Sequence, residues 1–267
     1  MTGTRTGRSP IDDGSQPGET GDVLLVDSGN SRIKWAKLSQ RGLTTHQAAP
    51  ADRWFDSTLV ADLRGADRVL IANVAGAERA NVLSAAVRDH AGVEPEVVRV
   101  GADAAGIRHA YPEPASLGVD RWLAMIAARA KDSRAICVVD VGTAMTIDAV
   151  DATGRHLGGL ITPGPDLMIA SLLKNTGDLA AFARGGREGT ALFADNTRGA
   201  IWQGCEHALA ALVDRCVESL PAESAGAVRL IVTGGAASRI VPLLRAPFHE
   251  VPDLVLQGLA ILARRGS

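Results

Sequence analysis

The sequence predicts an α/β protein of two similar halves, each a β-meander followed by α/β units, with a ligand cleft between them. Three observations carry this. First, Val23-Leu24-Leu25-Val26-Asp27-Ser28-Gly29-Asn30-Ser31-Arg32-Ile33-Lys34 is an apolar run that ends in an acid, turns, and resumes as an extended segment. That is the pattern of a buried strand, a tight turn and a returning strand. Second, the segment from Ala135 to Val150 repeats the device, with Asp140, Gly142 and Thr143 standing where Asp27, Gly29 and Asn30 stand in the first. Third, alternating helical and extended segments follow each copy. Alone, the first stretch reads as an ordinary hairpin with a solvated Asp. Two copies, each heading half the chain, point to a duplicated domain with a nucleotide clamped between the halves.

The elements follow in order. Met1 to Asp22 is rich in Gly, Thr, Ser, Pro and charge with no apolar periodicity, and is expected to be a disordered leader. In the first hairpin, Gly29 and Asn30 tolerate positive φ and let a backbone approach a ligand closely. The acid, the turn amides, a hydroxyl and Lys34 together suit a metal ion and a phosphate chain. Gln40-Arg41-Gly42 turns into a third strand near Leu43–Gln47, and Trp54 to Leu63 is expected to be helical. Arg68–Ile71 is a short strand, Ala77–His90 an Ala-rich helix, and Val97–Val100 another strand. Gly106 to Leu117 is irregular, punctuated by Pro112 and Pro114. A helix begins near Gly118, because Val119, Trp122, Leu123, Ile126, Ala127 and Ala130 recur at helical spacing.

In the second half, Ala135–Asp140 and Met145–Val150 pair, and His156–Thr162 returns alongside. Helices are expected at Asp166–Leu173, Thr197–Ser219, Ala236–Leu244 and Asp253–Arg264, with a strand at Val228–Val232 and a tight turn at Thr233-Gly234-Gly235. The turn is either a ribose or adenosine contact or a plain connection. This order is the ribonuclease-H-like arrangement twice over, with domains expected at 23–131 and 132–267.

Composition narrows the function. Apolar residues make up 46% and charged residues 22%, the balance of a soluble globular protein. A net charge of -2 gives no reason to expect nucleic acid or an anionic membrane as partner. Cys137, Cys205 and Cys216 form no C-x-x-C pair, and the histidines are scattered, so neither a disulfide framework nor a zinc site is expected. No apolar run reaches the ~18 residues of a membrane span, and a cytoplasmic location is expected.

Four motifs now stand in order: Asp27 to Lys34; Tyr111-Pro-Glu-Pro-Ala-Ser-Leu-Gly118-Val119-Asp120-Arg121; Asp140-Val-Gly-Thr143-Ala-Met-Thr-Ile-Asp148; and Gly158 to Gly164. Together they resemble the type III pantothenate kinases, members of the acetate and sugar kinase, Hsp70 and actin superfamily. The resemblance runs from Val23 to Arg264, departing where Leu179-Ala180 replaces the usual Leu-Pro and Ser31 the usual Thr.

The resemblance implies ATP-dependent phosphorylation of pantothenate to 4'-phosphopantothenate, the first step of coenzyme A biosynthesis. It implies that Asp27, Ser28, Gly29, Asn30, Ser31, Arg32, Ile33 and Lys34 cradle the ATP phosphates, with Thr143 contacting ATP from the second loop. Asp27 would lie near magnesium, and Asp140 would help hold a monovalent cation, potassium or ammonium. Tyr111, Gly118, Val119, Asp120 and Arg121 would line the pantothenate pocket, with Asp120 as general base. Arg121 suits an anionic substrate because its planar fork can pair with a carboxylate. Taken alone, Asp120 reads as a first-turn acid favoured by the helix dipole and Arg121 as a surface ion pair; inside the complete motif both read as functional. Thr197 would be contributed by the partner subunit of a homodimer. The alternatives are an accessory regulatory protein of the same fold and another small-molecule kinase of the superfamily. ADP release that depends on pantothenate separates them.

Overall fold

The computed structural model describes residues 22–44, 46–101, 103–175, 192–220 and 228–265. The expected leader before Asp22 and the Leu179-Ala180 departure lie outside the described residues.

The first hairpin pairs β1 (Val23–Ser28) antiparallel with β2 (Arg32–Ser39), and β5 (Arg68–Asn73) lies parallel to β1 on its other side. The sheet is completed by β3 (Gly42–Leu43) and β4 (Gln47–Pro50), which share the outer edge of β2, and by β6 (Glu96–Val97) beside β5. The single third strand expected near Leu43–Gln47 is thus two short ones: β3 pairs the end of β2 and β4 its beginning. The strand expected at Val97–Val100 keeps only its first residue in β6, although Val98 still donates its amide to the Ile71 carbonyl at 2.9 Å.

The second sheet repeats the plan. In it, β9 (Ile136–Val141), β10 (Ala144–Val150) and β11 (His156–Pro163) form an antiparallel meander, with β12 (Arg229–Thr233) parallel to β9 and β13 (Phe248–Glu250) parallel to β12. The order β11-β10-β9-β12-β13 matches β3-β2-β1-β5-β6, so the duplication inferred from two short motifs extends through both sheets.

Side-chain alternation decides what each face of β1 meets. Leu24 and Val26 join Trp35 and Trp54 in a core beneath α2 (Gly76–Ala91). Leu25, on the other face, joins a core built on α3 (Val119–Lys131) and α6 (Leu254–Arg265). Those two helices pack on each other, α6 against β1 and β5 and α3 against β9 and β10, so they fill the space between the sheets. Gly258 permits this. A Cβ there would run into the Leu123 carbonyl across the helix pair.

Other elements differ from expectation for local reasons. Trp54–Leu63 divides into a 3-10 turn, Trp54–Asp56, and the short α1 (Leu59–Leu63), with Ser57 extended between them. At the start of the segment expected to be irregular, β8 (Ile107–Arg108) pairs with β7 (Asp103–Ala104), just before that segment, in a small hairpin through Ala105 and Gly106, both at positive φ. Ala236–Leu244 is two 3-10 turns, Ala237–Arg239 and Val241–Leu243, because Pro242 lacks the amide an α-helix would need there. Two long helices, α4 (Pro165–Asn175) and α5 (Thr197–Glu218), pack together beyond the second sheet.

Candidate active site

The two hairpins end at the same place. At the turn of the first, Gly29 donates its amide to the Arg32 carbonyl at 3.0 Å; at the turn of the second, Gly142 donates to the Ala144 carbonyl at 2.9 Å. The loops touch: Ser31 Oγ and Thr143 Oγ1 are 2.7 Å apart, a hydrogen bond between residues 112 positions apart in sequence. Both hydroxyls are on exposed residues, on the rim of the cleft.

Behind the rim lie the acids. Asp27 faces Lys34 across the β1–β2 register, and Asp140 occupies the corresponding place on β9. Burial pushes Asp27 up to about 7, against the pull of Lys34, and the charges of Asp140 and Asp120 push the same way. Burial likewise raises Asp140 to about 6, opposed by Lys34 and reinforced by Asp120. Asp120, in the first turn of α3, is also raised by burial, partly offset by the amide of Arg121, which donates to its Oδ1 at 2.8 Å. Three poorly solvated carboxylates from three elements therefore lie within electrostatic reach of one another and, for Asp27 and Asp140, of one ammonium group. Gly234 closes the site from below. At φ 101°, a Cβ there would meet Asp140 Oδ1 and the Val141 carbonyl, so the Thr233-Gly234-Gly235 turn lies directly against the Asp140 strand end.

The burial of Asp27 has a testable consequence for stability. With a folded value near 7 against the ordinary 3.8, its stabilising contribution is complete below the ordinary value and is lost as pH rises through 7. Asp27→Asn should therefore stabilise the ligand-free protein near pH 8 by on the order of 2 kcal/mol and raise its melting temperature there. The gain should shrink towards pH 4. Thermal unfolding at both pH values checks it.

Beside the acids is a second, drier group. The Arg121 guanidinium forks onto Asp148 on β10, Nε to Oδ2 at 2.9 Å and Nη2 to Oδ1 at 2.6 Å. Its remaining Nη1 donates to the Tyr111 hydroxyl at 3.0 Å. His156 Nδ1 accepts the Ala110 amide at 3.3 Å, which leaves Nε2 protonated to donate to Asp148 Oδ1 at 3.0 Å. The Tyr111 ring lies parallel to the His156 ring, centroids 5.9 Å apart. Arg121, expected to offer its fork to a substrate carboxylate, has that fork filled by Asp148 and is itself buried. Outside that pair, it bonds the Tyr111 hydroxyl.

The expected loop residues divide by strand alternation. Gly29, Asn30, Ser31, Arg32 and Lys34 lie on the cleft side or its rim, whereas the side chains of Ser28 and Ile33 are fully buried, leaving only their backbone for a ligand. Val119 is buried in the core at the start of α3, with Gly118 at the N-terminal boundary of the helix. Thr197 opens α5, where the Asn196 side chain accepts the Gly199 amide at 2.8 Å. Thr197 lines an apolar cavity of about 470 Å³ with Met168, Leu172 and Ile201, a space that shares no residue with the Asp27–Asp120–Asp140 group. Four residues at the site had been given no role by the sequence: Asp148, His156, Asp253 and His46. Of these, only Asp148 carried a signal, a charge flanked by apolar Ile147 and Ala149 within a strand.

Among the described residues no cluster of three or more His, Cys, Asp or Glu side chains surrounds a single point, and no helix is long and apolar enough to cross a membrane. Cys137, Cys205 and Cys216 are free thiols.

Comparison with known proteins agrees with this geometry. The family model described as type III pantothenate kinase matches residues 23–219. A type III pantothenate kinase of Nitrosococcus oceani is 37% identical over 260 residues, covering 92% of this chain and 95% of the relative. One from Aromatoleum aromaticum is 40% identical over 250 residues, covering 92% and 99%. Among solved structures, MreB 5 of Spiroplasma citri bound to AMPPNP superposes with a TM-score of 0.52 at 12% identity, covering 92% of this chain and 97% of that one. A conserved Campylobacter jejuni protein placed in the Baf family of transcriptional activators superposes with a TM-score of 0.57 at 20% identity, covering 91% and 98%. These structural likenesses place the fold, two ribonuclease-H-like halves around a cleft, in the group that includes sugar kinases and MreB.

Proposed function

This chain belongs to the type III pantothenate kinase family, and on that premise we propose how its residues divide the phosphorylation of pantothenate by ATP, a reaction of coenzyme A biosynthesis. The observation that supports the assignment most is the meeting of the two hairpin turns, Ser31 Oγ to Thr143 Oγ1 at 2.7 Å, with Asp120 at the start of α3 near enough for its charge to raise both Asp27 and Asp140.

ATP lies in the cleft with its phosphates against the Gly29–Ser31 and Gly142–Thr143 turns, within reach of the Ser31 and Thr143 hydroxyls at the rim. Lys34 places a point charge on the phosphate oxygens. Pantothenate enters beside α3, where Tyr111 and the Gly118–Asp120 turn position its primary hydroxyl. Asp120 accepts the hydroxyl proton as the oxygen attacks the γ-phosphorus, the bond to the β-phosphate oxygen breaks, ADP leaves, and Asp120 later returns the proton to solvent. Phosphoryl transfer asks the protein mainly for this positioning and for charge neutralisation.

The acids suit cations. Buried carboxylates with one ammonium among them leave negative charge to be balanced. Lacking a full protein cage, a divalent ion at Asp27 would complete its shell with phosphate oxygens and water, as magnesium does. When bound, it neutralises phosphate charge. Asp140 is assigned to the monovalent ion, so replacing potassium by sodium is expected to lower the rate sharply. Equal rates in both salts would remove that ion from the account.

A homodimer is also proposed. Leu160 and Ile161 on β11 and Leu167 and Leu172 on α4 are exposed apolar residues, and Leu172 lines the same space as Thr197, a surface suited to a second copy that would bring Thr197 to the partner's pocket. Mixing Asp120→Asn subunits with Thr197→Ala subunits should restore partial activity. No recovery would mean that each site is built within one chain. The location proposed is the cytoplasm, in keeping with ATP as a substrate.

A further inference from the structure

The Lys34 ammonium has carboxylates on more than one side. Asp27 lies opposite it across the hairpin, yet the ion pair it makes is with Asp253, Nζ to Oδ1 at 3.4 Å, from a residue 219 positions away. The other oxygen of Asp253 takes His46 Nδ1, so both carboxylate oxygens are engaged and the group is held in one orientation. The backbone at Asp253 is unusual too. It has φ 59°, one of two non-glycine residues at positive φ among those described, and it immediately precedes α6. Side chains other than those of Asn and Asp seldom adopt this conformation, and such outliers gather at functional sites. Here the outlier sits where a loop must turn a carboxylate back into the cleft before the helix begins.

We propose that Asp253 is a positioning residue that fixes the Lys34 ammonium at the phosphate side of the cleft, so that Asp27 and Asp140 do not hold it alone. Without it, Lys34 would be drawn closer onto the acids across the hairpin. The terminal phosphate would then lose its fixed counter-charge, and the acids would lose their availability to cations. The inference rests on the proposed ATP site and adds to it a residue outside the four motifs.

Asp253→Asn removes the charge while keeping a side chain suited to left-handed backbone, and Asp253→Gly removes the side chain without strain. Each is compared with wild type, Lys34→Met and the Lys34→Met/Asp253→Asn pair. The readouts are pantothenate-dependent ADP release, calorimetric affinity for a non-hydrolysable ATP analogue, and melting temperature. Asp253→Asn is expected to lower kcat/KM for ATP by about tenfold, the scale of one charge-assisted hydrogen bond, and to weaken analogue binding in parallel. In the Lys34→Met background the same change should cost less than about twofold, because nothing is left for Asp253 to hold. Unchanged activity in Asp253→Asn would overturn the inference. So would an equal loss in the Lys34→Met background, or a lowered melting temperature in both Asp253 variants, which would assign the residue to the entry of α6. A wild-type protein that shows no pantothenate-dependent turnover would instead count against the functional reading.

Discussion

Asp120→Asn is expected to lower kcat by ~10²–10⁴-fold, the usual contribution of a positioned general base. Its melting temperature and its affinity for an ATP analogue should stay close to those of wild type. Of the three acids, Asp27 and Asp140 sit at strand ends beside the phosphate turns, whereas Asp120 lies in the first turn of α3, next to Arg121, which bonds Tyr111. Burial raises it, so it holds a proton to higher pH than an ordinary carboxylate. The base must be ionised to act. The rate should therefore fall as pH drops, beginning at a higher pH than for a solvated aspartate, and this limb should vanish from the residual activity of Asp120→Asn. A variant with near-normal turnover would return Asp120 to the role of a first-turn acid favoured by the helix dipole.

Asp148→Ala is the second large effect. Asp148 is 2% exposed and takes two bonds from Arg121 and one from His156. Removing it leaves a buried guanidinium with no counter-charge, which typically costs ~3–5 kcal/mol. For a chain of this size that is a fall of roughly 10 °C in melting temperature. Activity should fall as well, because Arg121 no longer fixes the Tyr111 hydroxyl. Arg121→Met combined with Asp148→Leu separates the two effects. An apolar pair of similar volume often restores the stability a broken buried ion pair loses, but it cannot restore the hydrogen bond to Tyr111. Stability recovered without activity is the expected result. Recovery of both would mean that the pair serves the core alone.

How legible the molecule was depended on the range of each interaction. The hairpins at Asp27 and Asp140 were legible because an apolar run, an acid and a glycine turn are local signals, and their duplication predicted the repeated sheet order. Elements such as β6 and β13, two and three residues long, carry too few positions for a period to show. The helix expected over Ala236–Leu244 failed at Pro242, a local signal that was present and outweighed by the apolar run around it. The site was legible in membership more than in wiring. Tyr111 and Arg121 stood in one motif, but the partner that fills Arg121's fork lies on β10, and the residue stacked on Tyr111 lies on β11. Asp253 meets Lys34 only because α6 returns to the first sheet, and nothing near Asp253 in sequence marks it.

The central claim is that this cleft moves the γ-phosphoryl group of ATP to the primary hydroxyl of pantothenate. Mass spectrometry and phosphorus NMR of the products formed from ATP and pantothenate test it most directly. The account predicts 4'-phosphopantothenate and ADP in equal amounts, formed by wild type and nearly absent with Asp120→Asn, with no phosphorylation of acetate or simple sugars. ADP release without a phosphorylated pantothenate product, or transfer to those other acceptors in its place, would contradict it.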